Sequence, residues 1–512
     1  MNHDTPALIR AMLQPEFYPH PVAGCELIET HISWVILAGE FAYKIKKPLD
    51  LGFLDFSTLA RRKHCCEEEL RLNRRLAPDI YLDLLSIGGN PESPAYGVSP
   101  ALEYAVRMRR FDGAQQFDRL LARGELSAEM IDATARRAAK FHQQIAGATP
   151  PAGLGDAKQI WQPMAQNFQQ IQAQKQELAT RLPTLEQWSQ QTYQALHPLL
   201  EQRLAQGFIR ECHGDMHLGN MAWIDGQALV FDGIEFNPAL RWIDIISEVA
   251  FTVMDLHQHD QPTLAWRFLN TWLEYSGDYH GLALLRFYLV YRAMVRAKIA
   301  AIRLAQLAAD SEGFSPLRQE FSRYLALAEH FSHTPQARLL ICHGLSGSGK
   351  SVGGMALLEQ IGGVRLRSDV ERKRLHGLSP EQQAGQGLYQ AEVTRATYEH
   401  LAGLAEKLLA QGFSVLVDAT FLDPQQREMF RRLAHTQGCP FHILHFHASE
   451  ATLRQRLAER KGDASDADDS VLNKQLASYQ ALSAQEQDET ITIDTEAAQP
   501  LQQALEVLKG AA

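Results

Sequence analysis

Six cysteines are spread over 512 residues, at positions 25, 65, 66, 212, 342 and 439. They form no C-x-x-C pair and no even framework, which excludes a disulfide scaffold and fits a reducing cytoplasm. Long apolar runs are equally scarce. None approaches the roughly 18 residues of a membrane span, and the run 282–290 is broken by Arg286. The first residues, with Asp4 and Pro6, hold no apolar core of a signal peptide. Positive charge is outnumbered, 50 Lys and Arg against 60 Asp and Glu, a net −10 with pI near 6.1. That balance does not favour nucleic acid as a generic partner. The expectation is a cytoplasmic chain with no membrane partner. Its length suits about three domains of ~150 residues; oligomeric state is not legible.

What is present is concentrated in two stretches. The first is Gly344, Leu345, Ser346, Gly347, Ser348, Gly349, Lys350 and Ser351, which follows the apolar run 339–342 and fits G-x-x-x-x-G-K-[ST] without departure. A buried strand running into glycines and then a helix start is the right context. Glycines let the backbone wrap phosphate oxygens, with successive N–H groups turned inward. The helix adds its positive dipole end. Lys350 would reach the β- and γ-phosphates, and Ser351 would ligate Mg²⁺. All eight residues are expected to bind ATP.

Around it the chain alternates. A strand over 363–366 ends in Arg367, Ser368, Asp369 and Arg372, and a strand over 414–420 carries Asp418, an apolar run ending in a metal-side acid. A helix over 424–433, a strand over 441–447 and a helix over 451–460 follow, predicting a doubly wound parallel sheet. Arg454, Arg456 and Arg460 lead into the acidic stretch 462–469, expected to act as a lid over the phosphoryl group. His442, His445 and His447 on one strand read as core and edge residues, not as metal ligands.

The second stretch is His213, Gly214, Asp215, then Asn220, then a short apolar strand ending in Asp232. Asp215 would take the proton of an attacking hydroxyl, and Asn220 and Asp232 would offer oxygens to Mg²⁺. Upstream, 27–46 reads as a hairpin of two strands, turning at Ala38-Gly39-Glu40. Alternation puts Lys44 and Lys46 on one face and Tyr43 and Ile45 on the other. A charged helix over 58–77 offers Glu67, Glu68 and Glu69. Either lysine could pair with a helix acid to hold phosphates; Lys44 is favoured over Lys46, and Glu68 is taken among the three acids. His142 reads as a packing residue inside a helix. Proline and polar residues at 332–337 mark a linker.

The string from His213 to Asn220 resembles the aminoglycoside phosphotransferase branch of the kinase-like fold, over about 25–330. Asp244 resembles that family's structural helix-start acid. Ser368, Asp369 and Arg372 resemble small P-loop kinases of the polynucleotide-kinase, zeta-toxin and adenylylsulfate-kinase group, over about 338–510. There the aspartate activates the acceptor hydroxyl and the arginine holds the acceptor. Together they resemble bifunctional bacterial proteins joining the two. The resemblance implies an α+β two-lobed domain over 1–332, with a small lobe to about 110 and a large lobe from 111. An α/β P-loop domain over 338–512 follows. Each would phosphorylate a hydroxyl of a small-molecule acceptor with ATP and Mg²⁺, through Asp215 in one and Asp369, Arg372 and Arg456 in the other. The small lobe departs from the kinase pattern in lacking a glycine-rich phosphate loop. That gap leaves an alternative: a non-catalytic binder regulating the P-loop half.

Overall fold

The computed structural model describes residues 5–52, 54–174, 181–308, 310–382, 388, 390–459 and 469–510. They form two compact units. The first holds Met1–Arg137, Phe141–Gln166 and Tyr193–Asp255; the second holds Ala138–Lys140, Asn167–Thr192 and Leu256–Ala512. Among the described residues no helix is long and apolar enough to cross a membrane.

In the first unit, α1 (Ala7–Met12) precedes β1 (Cys25–Glu29), β2 (Ser33–Ala38) and β3 (Phe41–Lys46). The stretch expected as one strand over 27–37 is therefore two. Its break is local: the Thr30 hydroxyl accepts the N–H groups of Ile32 and Ser33, a side-chain turn competing with the ladder. Gly39, at φ +58°, turns β2 into β3, and a Cβ there would meet the Pro21 carbonyl at 2.7 Å. Helix α2 (Leu59–Asn73) starts where the Thr58 hydroxyl accepts Arg61 N–H. Strands β4 (Tyr81–Asn90), β5 (Ser93–Tyr96) and β6 (Ala101–Arg109) complete an antiparallel sheet ordered β1-β2-β3-β6-β4-β5. Tyr43 and Ile45 bury one face of it with Ile9 and Met12 of α1, each such side chain contributing roughly 1.5–3 kcal/mol. Lys44 and Lys46 point to the other face, toward α2, as alternation requires.

The chain then becomes helical through α3 (Phe117–Ala122), α4 (Ala128–Gln144), α5 (Ala157–Ala173) and α6 (Leu182–Ala205). Short strands β7 (Ile209–Glu211), β8 (Met221–Ile224), β9 (Gln227–Val230) and β10 (Trp242–Asp244) follow, pairing as β7 with β10 and β8 with β9. They frame the loop 213–220 ahead of α7 (Ile245–Gln258). This is the expected α+β kinase-like arrangement.

The second unit contains α8 (Pro262–Ser276), α9 (Leu285–Ala305) and α10 (Phe314–Ser332), then β11 (Leu339–His343), α11 (Lys350–Ile361), β12 (Val364–Arg367), α12 (Ser368–Leu375), α13 (Ala391–Ala410), β13 (Val415–Asp418), α14 (Pro424–Thr436), β14 (Phe441–His447), α15 (Glu450–Glu459), α16 (Asp469–Ser478), α17 (Ala484–Gln487), β15 (Thr490–Asp494) and α18 (Gln502–Gly510). The five strands are parallel in the order β12-β13-β11-β14-β15, so the chain winds away from β11 in both directions. Such a reversal opens a crevice at the carboxyl end of the strands, where the loop 344–349 leaves β11. The compact units divide after Asp255, ahead of the linker at 332–337. The physical reason is α8, which packs on the P-loop sheet. Asn270 donates to the Gly363 carbonyl and accepts Arg365 N–H, as a neighbouring strand would.

Candidate functional site

In the first unit, β3 and α2 bring Lys44 together with buried Lys46 and Glu69, joined by buried Glu235 and by the exposed Asp232. Lys44 Nζ lies 2.8 Å from Glu69 and 2.5 Å from Asp232. Lys46 Nζ lies 2.7 Å from the other Glu69 oxygen and also bonds Glu235. Burial pulls Lys44 down, yet Asp232, Glu69 and Glu235 outweigh it and raise its pKa well above the ordinary value. Burial likewise works against Glu69, but Lys44 and Lys46 hold its carboxyl down at about 2. Glu235 is pushed up by burial, against the pull of Lys46.

The acid brought to the lysines is thus Glu69, which corrects the expectation of Glu68. Glu68 turns outward one helix position away, bonding Arg71 and Arg241. Three successive glutamates cannot all face β3, and the lysine pair selects the one on the inner stripe. Lys46, the alternative to Lys44, shares the same acid, while Glu235 was not assigned to the cluster from sequence. The Asp232-Gly-Ile-Glu235 spacing was the available signal.

The loop 213–220 is held from within and from behind. Asn220 donates to the Asp215 carbonyl and carboxylate, both at 3.0 Å. His213 Nε2 bonds the Phe231 carbonyl at 2.9 Å while its Nδ1 accepts Asp215 N–H. Those partners require the Nε2-protonated tautomer, and burial lowers the ring's pKa, keeping it neutral. From α7, Glu248 accepts Gly214 N–H at 2.7 Å, Thr252 donates to the Met216 carbonyl at 2.8 Å, and Asp255 accepts Leu218 N–H at 2.9 Å. Positions 248, 252 and 255 lie on one helix face and reach alternate loop residues. Polar residues at that spacing in an apolar helix were a legible signal that sequence reading passed over. His142 is more than a packing residue, since its Nε2 lies 2.8 Å from Glu248. Asp244 pairs with Arg203, both buried.

In the second unit, a cavity of about 630 Å³ is lined by Lys350, Ser351, Asp369, Arg372, Asp418 and Arg456. The predicted residues therefore converge. Gly344, Gly347 and Gly349 take φ of +144°, +85° and +86°. A Cβ at Gly344 would meet the Phe446 carbonyl at 2.3 Å, and one at Gly347 the Leu453 carbonyl at 2.7 Å, so only glycine fits this turn. Leu345 and Ser348 lie within it, and Lys350 folds back to donate to the Leu345 carbonyl at 2.7 Å. Ser346 N–H bonds Gln475 of α16. Arg372 donates to Asp369 at 2.7 Å across one helix turn. Asp418 Oδ2 is buried with no hydrogen-bond partner; Arg367 Nε stands 3.7 Å away. Arg456 donates to Thr495 at 2.8 Å. Arg454 instead bonds Glu450 and Asp469 at the surface. Arg460 and 462–468 of the expected lid lie outside the described residues. The His445 ring packs against those of His343 and His447.

A family model described as "Phosphotransferase enzyme family" matches residues 67–285, and one described as "AAA domain" matches residues 339–482. An uncharacterized protein of Mycobacterium tuberculosis (strain ATCC 25618 / H37Rv) is 30% identical over 458 residues, spanning 88% of this chain and 89% of its own length. An uncharacterized protein of Mycobacterium bovis gives the same figures. Among solved structures, a gluconokinase from Sinorhizobium meliloti 1021 is 23% identical, covering 35% of this chain and 95% of its own, at a TM-score of 0.27. An amicoumacin kinase is 14% identical, covering 63% of this chain and 92% of its own, at 0.40.

Proposed function

The chain belongs to the family of these mycobacterial proteins, a phosphotransferase-family module joined to an AAA-domain module, and we propose that both modules are ATP-dependent kinases acting on hydroxyl groups of small molecules. The modules are taken as 1–332 and 338–512.

The observation that carries this reading is the cavity beside Lys350. It pairs a glycine turn that only glycine can make with an acid and an arginine, Asp369 and Arg372, that line the same cavity. A phosphate loop alone does not choose between water and an alcohol; a group beyond the terminal phosphate does. Asp369 would accept the acceptor's proton as its oxygen bonds to the γ-phosphorus and the bond to the bridging oxygen of ADP breaks. Arg372 would hold the acceptor, while Lys350 and Arg456 would balance charge on the transferring group. In the first module, Asp215 would take the proton and Lys44, braced by Glu69, would hold phosphates.

The buried Asp418 oxygen, which has no hydrogen bond among the described residues and Arg367 at 3.7 Å as an ionic partner, fits a divalent cation, since a buried carboxylate oxygen without hydrogen bonds is otherwise costly. Ser351 and Asp418 would hold Mg²⁺ in one module, and Asn220 and Asp232 in the other. The ion would supply positive charge to the phosphate oxygens.

One observation favours the second reading for the first module, a binder that regulates its partner. Its β2–β3 turn is short, with Gly39 packed on Pro21, which leaves no long glycine loop to cover a nucleotide. The deciding experiment is phosphorylation of a metabolite extract by the full chain with ATP, read as mass shifts of about 80 Da, a phosphoryl group replacing the hydroxyl hydrogen. Products lost in Asp215→Asn belong to the first module and those lost in Lys350→Ala to the second. No product lost in either would overturn the kinase reading, and none lost in Asp215→Asn alone would favour the binder.

A further inference from the structure

Helix α8 lies within the phosphotransferase match, yet one of its acids stands directly behind the P-loop cavity. Glu274 is 6% exposed. One of its oxygens bonds Arg365, and the other lies 3.4 Å from Arg367. Arg365 in turn donates to the backbone carbonyl of Ser351 at 3.1 Å. Arg367 lines the cavity and also pairs, at 3.7 Å, with the buried Asp418 oxygen that has no hydrogen bond. A single carboxylate therefore serves two guanidinium groups that reach both expected cation ligands, Ser351 and Asp418. The anchorage is firm, because Asn270, one helix turn earlier, holds Arg365 N–H at 2.7 Å.

We propose that Glu274 is a positioning residue of the P-loop site: it fixes Ser351 through Arg365 and shares Arg367 with Asp418, so that this guanidinium does not close fully on the carboxylate expected to meet a magnesium-bound nucleotide. The proposal rests on reading the cavity as a nucleotide site. Its physical basis is charge competition. A guanidinium does not lose its proton, so Arg367 without Glu274 turns to the nearest acid that remains. Asp418 is an acid it already pairs with at 3.7 Å, and once that pair tightens a cation has to displace an arginine to reach the carboxylate. Residues behind metal ligands typically govern about 10–100-fold in metal affinity.

The test is binding of a fluorescent ATP analogue to the full chain, in Mg²⁺ and in EDTA, counting only the part that Lys350→Ala removes. In Glu274→Gln the gain in affinity conferred by Mg²⁺ should shrink about tenfold or more, while binding in EDTA stays within about twofold. Adding Arg367→Gln to that variant should restore much of the gain, because the competitor for Asp418 is gone. A scaffold role would weaken binding equally in both buffers and would not be rescued. An unchanged Mg²⁺ gain, an equal loss, or absence of rescue overturns the proposal. Should Glu274→Gln fail to fold, Glu274→Asp, which keeps the charge on a shorter arm, carries the same comparison. If Lys350→Ala removes no binding, the nucleotide reading itself falls, whatever Glu274 does.

Discussion

Lys350 and Asp369 line one cavity but should fail differently. Lys350 opens α11 at the cavity and donates to the Leu345 carbonyl; on the proposed reading its charge serves phosphate, so Lys350→Ala should abolish nucleotide binding by the second module and leave the unfolding midpoint within a few degrees. Calorimetry beside a binding titration checks both. Asp369→Asn should lower transfer to the acceptor by roughly 10²–10⁴-fold, while ATP affinity and background hydrolysis persist. Equal loss of transfer and hydrolysis would assign Asp369 to the metal or the fold. Glu69 makes a prediction about acid. Its carboxyl titrates at about 2 when folded, against 4.5 ordinarily. A depressed carboxyl stabilises the fold above the unfolded value and loses that contribution as pH falls between the two. Unfolding midpoints of the full chain should thus drop between pH 4.5 and about 2, and Glu69→Gln should flatten that limb while lowering stability near neutral pH. The same residue marks a limit of the sequence. Alternation placed Lys44 and Lys46 on one face correctly, but three consecutive glutamates differ only in helix phase, which a shift of one residue in α2 reassigns.

Elements were legible where the pattern was strong. The apolar runs at β11 and β13, the glycines after β11, and the helix α14 stand where expected. Other features depended on side chains the pattern does not weigh. Thr30 splits a β-rich run by bonding its own backbone, and β15 ends the sheet from a short segment, Thr490–Asp494, that alternates only briefly. The polar stripe of α7 belongs to this scale too. Because Asp255 satisfies Leu218 N–H in a buried setting, Asp255→Ala should cost about 1–3 kcal/mol. Loss of any activity assigned to Asp215 should accompany it. Urea unfolding and turnover, measured together, would separate loosening of the loop from global destabilisation; unchanged values in both would mean α7 does not template the loop.

At the scale of the whole molecule, sequence reading expected a boundary at 332–337, and two family matches end at 285 and begin at 339. Compactness follows another line, because α8 to α10 fall in the same unit as the P-loop sheet. Composition cannot announce this: α8 is amphipathic, as are helices of the preceding module such as α4 and α5, and only its contacts reveal which sheet it serves. A fragment beginning at residue 336 should therefore unfold at a lower urea concentration than the second unit does within the full chain. A midpoint equal to that of the full chain would make α8 dispensable. The carboxamide of Asn270 has one more consequence. β12 is the outermost strand on its side of the parallel sheet, and an open sheet edge invites strands from other molecules to add on. By engaging the Gly363 carbonyl and Arg365 N–H, Asn270 uses up two of the groups an incoming strand would need, so this margin of the sheet is closed to self-association when the protein is crowded.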